Sequence, residues 1–394
     1  MTSVKNLPLA GIKVVEFTHM VMGPAAGLIL ADLGAEVIKI EPLKGDNTRH
    51  LKGSGAGYFS MYNRNKNSLS LDIKSSVGLE VALSLIKNAD VVLENFRPGA
   101  MDKIGLGYKK LSLLNPKLIY CSLKGFLSGP YEHRTALDEV TQMMGGLAYM
   151  TGLPNKPMRA GSSVIDITGG MFGAIGVLAA LEERHRTGLG KKVTSALYET
   201  TAFLVGQHMA QQAITGEALQ PMSVRRSAWA IYDIFSCADN EQLFIGVVSD
   251  TQWRIFCETF GFIEFAKDQS LAENNGRVTQ RDRILPAINQ LFSGISKSAL
   301  MAKLEESGLP FAPINKPSDL FDDPHLNAGG LLAVTLSDGR KTKLPALPLE
   351  MNNERFALRN DIPKDKGNSI RTLQKAGFDQ AQINSLIDLG IIRD

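Results

Sequence analysis

The first 200 residues alternate between short apolar segments rich in Val and Ile and longer segments with helical spacing. The predicted strands are 12–17, 36–41, 68–72, 90–93, 118–123 and 191–197. The predicted helices begin near Gly23, cover 76–88 and 138–150, follow Asp166 to about 186, and cover 199–214. Strands that alternate with helices are typical of a parallel sheet, since each helix carries the chain back to the same edge. The pattern predicts an α/β fold with a doubly wound parallel sheet.

The pattern changes after Thr215. Segments 228–237 and 243–248 predict two adjacent strands, 251–260, 281–292 and 299–307 predict helices, and 369–376 and 380–389 predict short terminal helices. The prolines and acids of 315–327 are typical of a connecting segment. The predicted organisation is therefore a large domain over 1–205, a linker over 206–224, a smaller α+β domain over 225–314, a second linker over 315–330, and a return to the large domain over 331–394.

Composition limits the class of protein. The chain has 394 residues, 44% hydrophobic and 21% charged, as in an ordinary globular protein of two domains. Its net charge is only +3, with acids and bases interspersed, which argues against a nucleic-acid or membrane-surface partner. The segment before Leu9 lacks the apolar core of a signal peptide, and the apolar stretch 169–181 is too short to span a bilayer. We therefore expect a cytoplasmic protein.

Cysteines, histidines and glycines give no cofactor motif. Cys121, Cys237 and Cys257 form no CxxC pair, and the six histidines form no HExxH or spaced metal cluster. The chain has no GxSxG nucleophile elbow. Gly23 and Gly27 follow the first strand without the third glycine of a dinucleotide fingerprint. We predict no metal and no tightly bound cofactor.

One carboxylate stands out. In Ser163-Val164-Ile165-Asp166-Ile167-Thr168-Gly169-Gly170, an apolar run ends in Asp166 and paired glycines open a long apolar helix. A carboxylate at a strand or loop end that faces a helix N-terminus is ionised and approachable, as a carboxylate nucleophile must be. The alternative is an Asp that caps the helix. The backbone N–H groups of Gly169 and Gly170 are candidates to stabilise an oxyanion.

Several segments occur in order over the first 190 residues. They are Leu9 to Val14, Phe17-Thr18-His19 with Gly23-Pro24, Asp32 to Glu41, Asn65-Lys66, Leu71 to Lys74, Glu94 to Gly99, Ser122 to Phe126 with Gly129-Pro130-Tyr131, Asp166 with Gly169, Leu181 to Arg184, and Thr187 to Gly190. Together they resemble the family III CoA-transferases. The resemblance implies a Rossmann-like large domain built from both chain ends, a small domain between them, and a homodimer of two interlocked rings.

The resemblance also implies a reaction. Asp166 would be the nucleophile that moves CoA from an acyl-CoA donor to a short carboxylic or dicarboxylic acid, through an aspartyl anhydride and an aspartyl-CoA thioester. Coenzyme A is then part of a substrate. The positions that match the CoA site of the family are Val21, Met22, Leu71, Lys74, Asn95, Phe96, Arg97 and Lys103.

Two other functions are open. Related α-methylacyl-CoA racemases have a His immediately before the residue that matches Asp138, whereas this chain has Leu137, which cannot move a proton. Asp138 itself is either a site carboxylate or the cap of the next helix. The third function is a CoA-ester binding protein without catalysis.

The acceptor acid is the least defined part. A dicarboxylate would need a cationic clamp, and Arg159, Arg225 and Arg226 are candidates, because Arg holds a carboxylate with two hydrogen bonds. Arg225 and Arg226 are equally explained as exposed linker charge. Residues 215–260 contain no run of four glycines, unlike the loop over the active site of formyl-CoA transferase, which argues against formyl/oxalate exchange.

Overall fold

The computed structural model describes residues 6–224, 227–366 and 368–394. The chain divides into two compact units, Met1–Ser223 with Pro324–Asp394 and Val224–Asp323. We call them the large unit and the small unit. The small unit extends to Asp323, beyond the predicted end at 314, so the segment expected to be the second linker is shared between the two units.

The first part of the large unit alternates strands and helices, as the apolar pattern predicts. Its strands are β1 Lys13–Phe17, β2 Glu36–Glu41, β3 Lys66–Leu71, β4 Val91–Glu94, β5 Ile119–Lys124 and β6 Lys192–Ala196. Its helices are α1 Met22–Asp32, α2 Tyr58–Tyr62, α3 Ser76–Lys87, α4 Ala100–Lys103, α5 Tyr108–Leu114, α6 Asp138–Met144, α7 Leu147–Thr151, α8 Val164–Thr187 and α9 Leu197–Thr215. Helix α9 occupies the first ten residues of the predicted linker 206–224.

The rest of the chain forms the small unit and then rejoins the large one. The small unit contains β7 Ile231–Ser236, β8 Gln242–Val247, α10 Asp250–Phe260, α11 Ile263–Lys267, α12 Asn274–Thr279, α13 Arg281–Phe292, α14 Lys297–Ser307 and β9 Phe311–Pro313. The return to the large unit contains α15 Pro324–Asn327, β10 Leu331–Thr335, β11 Lys341–Pro345, β12 Glu350–Met351, β13 Glu354–Arg355, α16 Ser369–Lys375, α17 Gln380–Asp388 and β14 Ile392–Arg393.

The central sheet of the large unit has seven strands in the order β14-β3-β2-β1-β4-β5-β6. Neighbouring strands are parallel, except that β14 runs antiparallel to β3. The sheet is therefore mostly parallel, and it takes strands from both parts of the large unit. The strand order reverses between β1 and β4. In open α/β sheets, ligands bind outside the carboxyl ends of the strands at such a reversal.

Helices cover both faces of this sheet. On one face α1 and α8 pack against Val14, Val37 and Leu93. On the other, α3, α16 and α17 pack against side chains such as Val15 and Leu69. The alternation of Val14 and Val15 follows from the two-residue period of a strand. Both faces are apolar because both are covered.

The return segment is tied to the loop before β3. Asn65, at a φ of 62°, accepts hydrogen bonds on its Oδ1 from the backbone N–H groups of Arg359 (2.7 Å) and Asn360 (2.9 Å). Its own N–H donates to the carbonyl of Asn360 at 2.9 Å. An Asn adopts the left-handed region more readily than most residues. This one side chain therefore joins the two separated parts of the large unit.

Helix α8 is long and apolar enough to cross a bilayer by length and composition alone. The stretch 169–181 is thus only part of a longer helix. Its Gly170 lies so close to α1 that a Cβ there would be 2.6 Å from the carbonyl oxygen of Met22. Ala174 and Val177 are buried in the core against the sheet. This packing makes α8 the central helix of the large unit.

The small unit has its own apolar core. Strands β7, β8 and β9 form an antiparallel sheet in that order. The rings of Phe235, Phe256 and Phe292 meet edge to face across the core, with centroids 5.4 to 6.2 Å apart. Helix α13 keeps its predicted bounds in spite of Pro286.

Candidate active site

A cavity of about 920 Å³ opens in the large unit at the strand-order reversal. The loop after β1 and the loop after β4 line one side, and the segment 133–139 with the start of α8 lines the other. The lining residues are His19, Met20, Met22, Tyr58, Asn95, Phe96, Arg97, Pro98, Ala100, Leu123, Lys124, Gly125, His133, Arg134, Thr135, Ala136, Leu137, Asp138, Glu139, Arg159, Ser163, Asp166 and Leu197. The cavity therefore combines the predicted nucleophile with part of the predicted CoA site.

Asn95 holds the two strand-end loops together. Its Oδ1 accepts from the backbone N–H of His19 at 3.0 Å, and its Nδ2 donates to the carbonyl of His19 at 2.7 Å. The His19 ring stacks on Phe96 with centroids 5.6 Å apart. The wall of the cavity at β1 and β4 is thus fixed by paired hydrogen bonds and a ring stack.

The structure brings together part of the predicted CoA site. Met22, Asn95, Phe96 and Arg97 line the cavity. The other four predicted positions lie outside its lining: Val21 is buried at the start of α1, Leu71 is buried at the end of β3, and Lys74 and Lys103 are exposed after β3 and at the end of α4.

Asp166 lies in the first turn of α8, as its third residue, and is half-buried. It is neither at a strand end nor the cap of the helix, so both sequence-based interpretations of its local structure are wrong. The cap position belongs to Ser163, whose side chain makes no capping hydrogen bond. The helix begins at Val164, so the apolar run before Asp166 is the first turn of the helix.

Asp138 supplies the missing cap from another element. Its Oδ2 accepts from the backbone N–H groups of Ile165 (2.9 Å) and Asp166 (3.1 Å). Leu137 is the cap residue of α6, so Asp138 does not cap its own helix. A carboxylate at a helix N-terminus is stabilised by the unpaired N–H groups and by the helix dipole. Asp138 therefore fixes the position of Asp166.

Gln142 extends this arrangement. Its Nε2 donates to Oδ1 of Asp138 at 2.5 Å, and its Oε1 accepts from the backbone N–H of Ala160 at 2.8 Å. Both side chains are buried. Both oxygens of Asp138 are thus hydrogen-bonded, so the carboxylate is held in one orientation.

The environment of Asp166 disfavours its charge. Burial first, and the nearby Asp138 carboxylate second, raise the pKa of Asp166 to about 7, while Arg159 opposes this shift. A carboxyl group with this pKa changes its charge near neutral pH. Strongly shifted carboxyl groups in cavities are typical of functional sites.

Gly169 and Gly170 have a different place from the predicted one. They lie in the second turn of α8, where backbone N–H groups bond to carbonyls four residues earlier in the helix. A Cβ at Gly169 would meet Met22 Cε at 2.7 Å, and one at Gly170 would meet Ala25 Cβ at 3.0 Å. They allow α8 to approach α1, and their N–H groups are not available as oxyanion donors.

The sequence model of CoA-transferase family III matches residues 9–367. The chain belongs to this family. Its members are enzymes that transfer CoA, and the substrates of this family are acyl-CoA thioesters and carboxylic acids. The resemblance of the first 190 residues is therefore confirmed, and the match extends well beyond it.

Named relatives of this CoA-transferase cover most of its length. It is 33% identical to the succinate–glutarate CoA-transferase of Agrobacterium fabrum over 93% of this chain and 95% of that one. It is 34% identical to the acetyl-CoA:oxalate CoA-transferase of Acetobacter aceti, over 82% of this chain and 85% of that one. A crystal structure of a CAIB/BAIF family protein from Brucella suis is similar with a TM-score of 0.81 at 33% identity, covering 95% of this chain and all of that chain.

The CoA-transferase has cationic side chains in the cavity that the sequence analysis did not single out. Lys124, at the end of β5, forms an ion pair with Glu94 at 2.7 Å and donates to the carbonyl of Phe96 at 2.7 Å. The guanidinium of Arg134 lies 4.9 Å from the ring centroid of Tyr131. The sequence clues to Lys124 were its position at a strand end and its place in the segment 122–126, which is part of the family resemblance.

A buried ionic cluster supports the loop after β1, which lines the cavity. We define it as Glu16, Lys39, Asp46 and Lys66. Lys39 Nζ lies 3.5 Å from Glu16 and 3.0 Å from Asp46, and it donates to the carbonyl of Thr18 at 2.6 Å. Since Thr18 precedes His19, the buried ionic cluster fixes the loop that enters the cavity. Charged residues inside buried parallel strands were the sequence feature that could have revealed it.

Arg159 is the one clamp candidate that the structure describes. It lines the cavity beside Asp138 and Glu139, with its side chain 37% exposed. Arg225 and Arg226 lie outside the described residues.

Proposed function

We propose that this CoA-transferase moves CoA from an acyl-CoA donor to a short carboxylic or dicarboxylic acid by a covalent path through Asp166. The observation that carries the proposal is the position of Asp166. It faces a cavity at the carboxyl ends of β1 and β4, held there by Asp138 and surrounded by cations that suit an anionic substrate.

The first half of the reaction consumes the donor. An ionised oxygen of Asp166 attacks the thioester carbonyl carbon, the C–S bond breaks, and CoA departs as a thiolate from a mixed anhydride. The thiolate then attacks the carbonyl carbon of Asp166 and expels the donor acid as a carboxylate. The product is an aspartyl-CoA thioester, and no net proton is taken up or released.

The second half repeats these steps in reverse order with the acceptor. An acceptor carboxylate attacks the aspartyl-CoA carbonyl and expels the thiolate, which leaves a second anhydride. The thiolate attacks the acceptor carbonyl, forms the new thioester, and releases Asp166 as a carboxylate. One oxygen atom of the acceptor therefore stays on Asp166.

The environment of Asp166 supports this role. A nucleophilic carboxylate needs no general base, since its ionised form attacks directly. Partial burial removes solvent that would otherwise stabilise the anion, and the same burial raises its pKa to about 7. Asp166 therefore changes its charge near neutral pH, and its ionised form is the one that attacks the thioester.

We propose that Met22, Asn95, Phe96 and Arg97 hold the pantetheine side of CoA, because they line the cavity. The four predicted positions outside the cavity lining would then contact only the outer part of the CoA nucleotide, or contact CoA through their backbone. They are Val21, Leu71, Lys74 and Lys103. Lys124 and Arg134 add positive charge for the phosphates, as guanidinium and ammonium groups do in phosphate sites.

The names of the relatives support a proposal for the acceptor class. Their names specify succinate, glutarate and oxalate, all of them short acids with two carboxylates. We propose the same class for this chain. A racemase is not favoured, since Leu137 lines the cavity at the position where a proton-carrying side chain would be needed.

We also propose that two chains form an interlocked homodimer. Support comes from α9, where Phe203, Met209 and Ile214 are 72%, 62% and 84% exposed. Exposed apolar side chains on one helix are typical of an interface. Light scattering should give twice the 42.8 kDa mass of the chain, and a single-chain mass would contradict the dimer.

The covalent path is tested by oxygen transfer. After turnover with an acceptor acid labelled with ¹⁸O in both carboxylate oxygens, the peptide that contains Asp166 should gain ¹⁸O. A separate peptide that contains Glu182, an exposed acid of α8, serves as the internal control and should gain no ¹⁸O. Product formation without label on Asp166 would contradict the proposed path.

A further inference from the structure

Arg159 is placed to contact a substrate in the cavity. Its Nε donates to the carbonyl of Ala160 at 3.1 Å, which fixes the root of the guanidinium. The side chain is 37% exposed and lines the same cavity as Asp166. Its positive charge opposes the rise in the pKa of Asp166.

The terminal nitrogens of Arg159 are only loosely paired. Nη1 lies 3.5 Å from Glu139 Oε2, and Nη2 lies 3.8 Å from Asp138 Oδ1. Hydrogen bonds between a guanidinium and a carboxylate are about 2.7–2.9 Å long. Asp138 already accepts hydrogen bonds from Gln142 and from the start of α8, and the side chain of Glu139 is exposed. The fork of Arg159 is therefore open to a ligand.

Other described cations of the cavity are less suited to this task. Lys124 is held by Glu94 and by the carbonyl of Phe96. The guanidinium of Arg134 lies over the ring of Tyr131. Arg97 follows β4 in the loop that we assign to CoA. Arg159 is the cation that combines an open fork with an electrostatic effect on Asp166.

We propose that Arg159 binds the distal carboxylate of a dicarboxylic acid while the near carboxylate reacts at Asp166, and that it selects dicarboxylic over monocarboxylic acids. This inference rests on the proposed function. A planar guanidinium binds a carboxylate through two parallel hydrogen bonds, so it fixes the orientation of the acid as well as its charge.

The charges around Arg159 favour binding of the distal carboxylate at the step where the acceptor acid enters. Free Asp166, Asp138 and Glu139 give three carboxyl groups around one guanidinium. Once Asp166 carries CoA as a thioester, its negative charge is gone. The guanidinium then faces fewer competing anions, and a second carboxylate from the acceptor is attracted more strongly than before acylation.

The test compares acids of equal length. Exchange of labelled succinate with succinyl-CoA is measured against exchange of labelled butyrate with butyryl-CoA, and glutarate is compared with valerate in the same way. Each pair needs no second acid, so the natural donor need not be known. Wild-type kcat/KM should be higher for each dicarboxylate, and Arg159→Gln should lower it roughly 30- to 100-fold, the loss typical of a charged hydrogen-bonded pair. Monocarboxylate exchange should stay within about threefold.

Two further variants sharpen the result. Arg159→Lys keeps the charge without the fork and should fall between the wild type and Arg159→Gln for the dicarboxylates. Arg134→Gln is the matched control and should change both members of each pair equally. Preserved butyrate exchange shows that Arg159→Gln is folded; if that variant does not fold, Arg159→Lys carries the same comparison.

Two results would overturn the inference: wild-type exchange that is equally fast for both members of each pair, or equal losses for both members in Arg159→Gln and Arg159→Lys. Neither result affects the proposed covalent path, which depends on ¹⁸O transfer to Asp166 with any accepted acid. Conversely, absence of that transfer would refute the covalent path whichever acids the enzyme prefers.

Discussion

Two groups of carboxylates in the large unit have opposite surroundings. In the buried ionic cluster, Asp46 forms an ion pair with Lys39 at 3.0 Å. Beside the cluster, Glu41 forms an ion pair with Arg49 at 2.7 Å. Although burial alone would raise both values, these cations hold the pKa of Asp46 and of Glu41 below their usual range. At the start of α8, burial and Asp138 raise the pKa of Asp166 to about 7. Each carboxylate of the first group pairs with a cation at 3.0 Å or less, whereas at Asp166 the opposing effect of Arg159 does not outweigh burial and Asp138.

This difference separates structural from reactive charge. A buried carboxylate that is well paired contributes to one fixed arrangement and has little remaining affinity for a ligand. A carboxylate left with a like charge beside it is held in an unfavourable state by the rest of the fold. Acylation removes that charge and relieves the repulsion by Asp138. The fold thus favours the covalent intermediate at Asp166.

The largest expected effect is on activity. Asp166→Ala should reduce CoA transfer at least about 10³-fold, because the proposed path has its acyl intermediate on Asp166. Binding of CoA should change little, and the variant should stay folded. Glu182→Gln, an exposed acid on the same helix, is the control and should be fully active. An Asp166→Ala enzyme with normal turnover would place the reactive charge elsewhere.

The next effect is on stability. Lys39→Met should lower the free energy of unfolding by about 3–5 kcal/mol, because Glu16 and Asp46 lose a buried partner. Arg340→Met, which breaks an exposed pair with Asp338, should change the free energy of unfolding far less. Urea unfolding measures both. Equal losses would show that the buried ionic cluster is no more important to stability than a surface pair.

The smallest expected effect is a gain in the free energy of unfolding that depends on pH. The folded-state pKa of Asp166 lies above its unfolded value, so the native protein loses stability as pH rises from about 4 to 7. Asp166→Asn removes this penalty. The variant should match the wild type near pH 4 and exceed it by on the order of 1–2 kcal/mol at pH 8. Denaturant titrations at both values check this, and a gain that is the same at both would refute the assigned cause.

Much of the fold was predictable because its pattern is local. Segment 36–41 matches β2 residue for residue, and 281–292 matches α13 in spite of Pro286. The carbonyl that Pro286 leaves without a helix partner belongs to Asp282, which is exposed to solvent. The predicted helix 138–150 splits at Gly145-Gly146, where Gly146 has a φ of 83°. That glycine pair was visible in the sequence.

The site was less predictable because its decisive contacts are not local. Asp138 caps a helix that begins 26 residues later, and no periodicity of the sequence encodes such a pairing. The paired glycines after Asp166 suggested oxyanion donors, whereas α1 needs them for close approach. The availability of Arg159 for a ligand was not predictable either, because it depends on the long distances from its guanidinium to Asp138 and Glu139.

The bond between Asn65 and residues 359–360 has a consequence for biosynthesis. A ribosome makes Asn65 early, then all of the small unit, and only afterwards the segment that Asn65 binds. During this interval the nascent large unit lacks part of its final structure, while the small unit is already complete enough to collapse around its own core. The time that the ribosome needs to translate residues 224–323 therefore contributes to how long the incomplete large unit is exposed to chaperones and proteases.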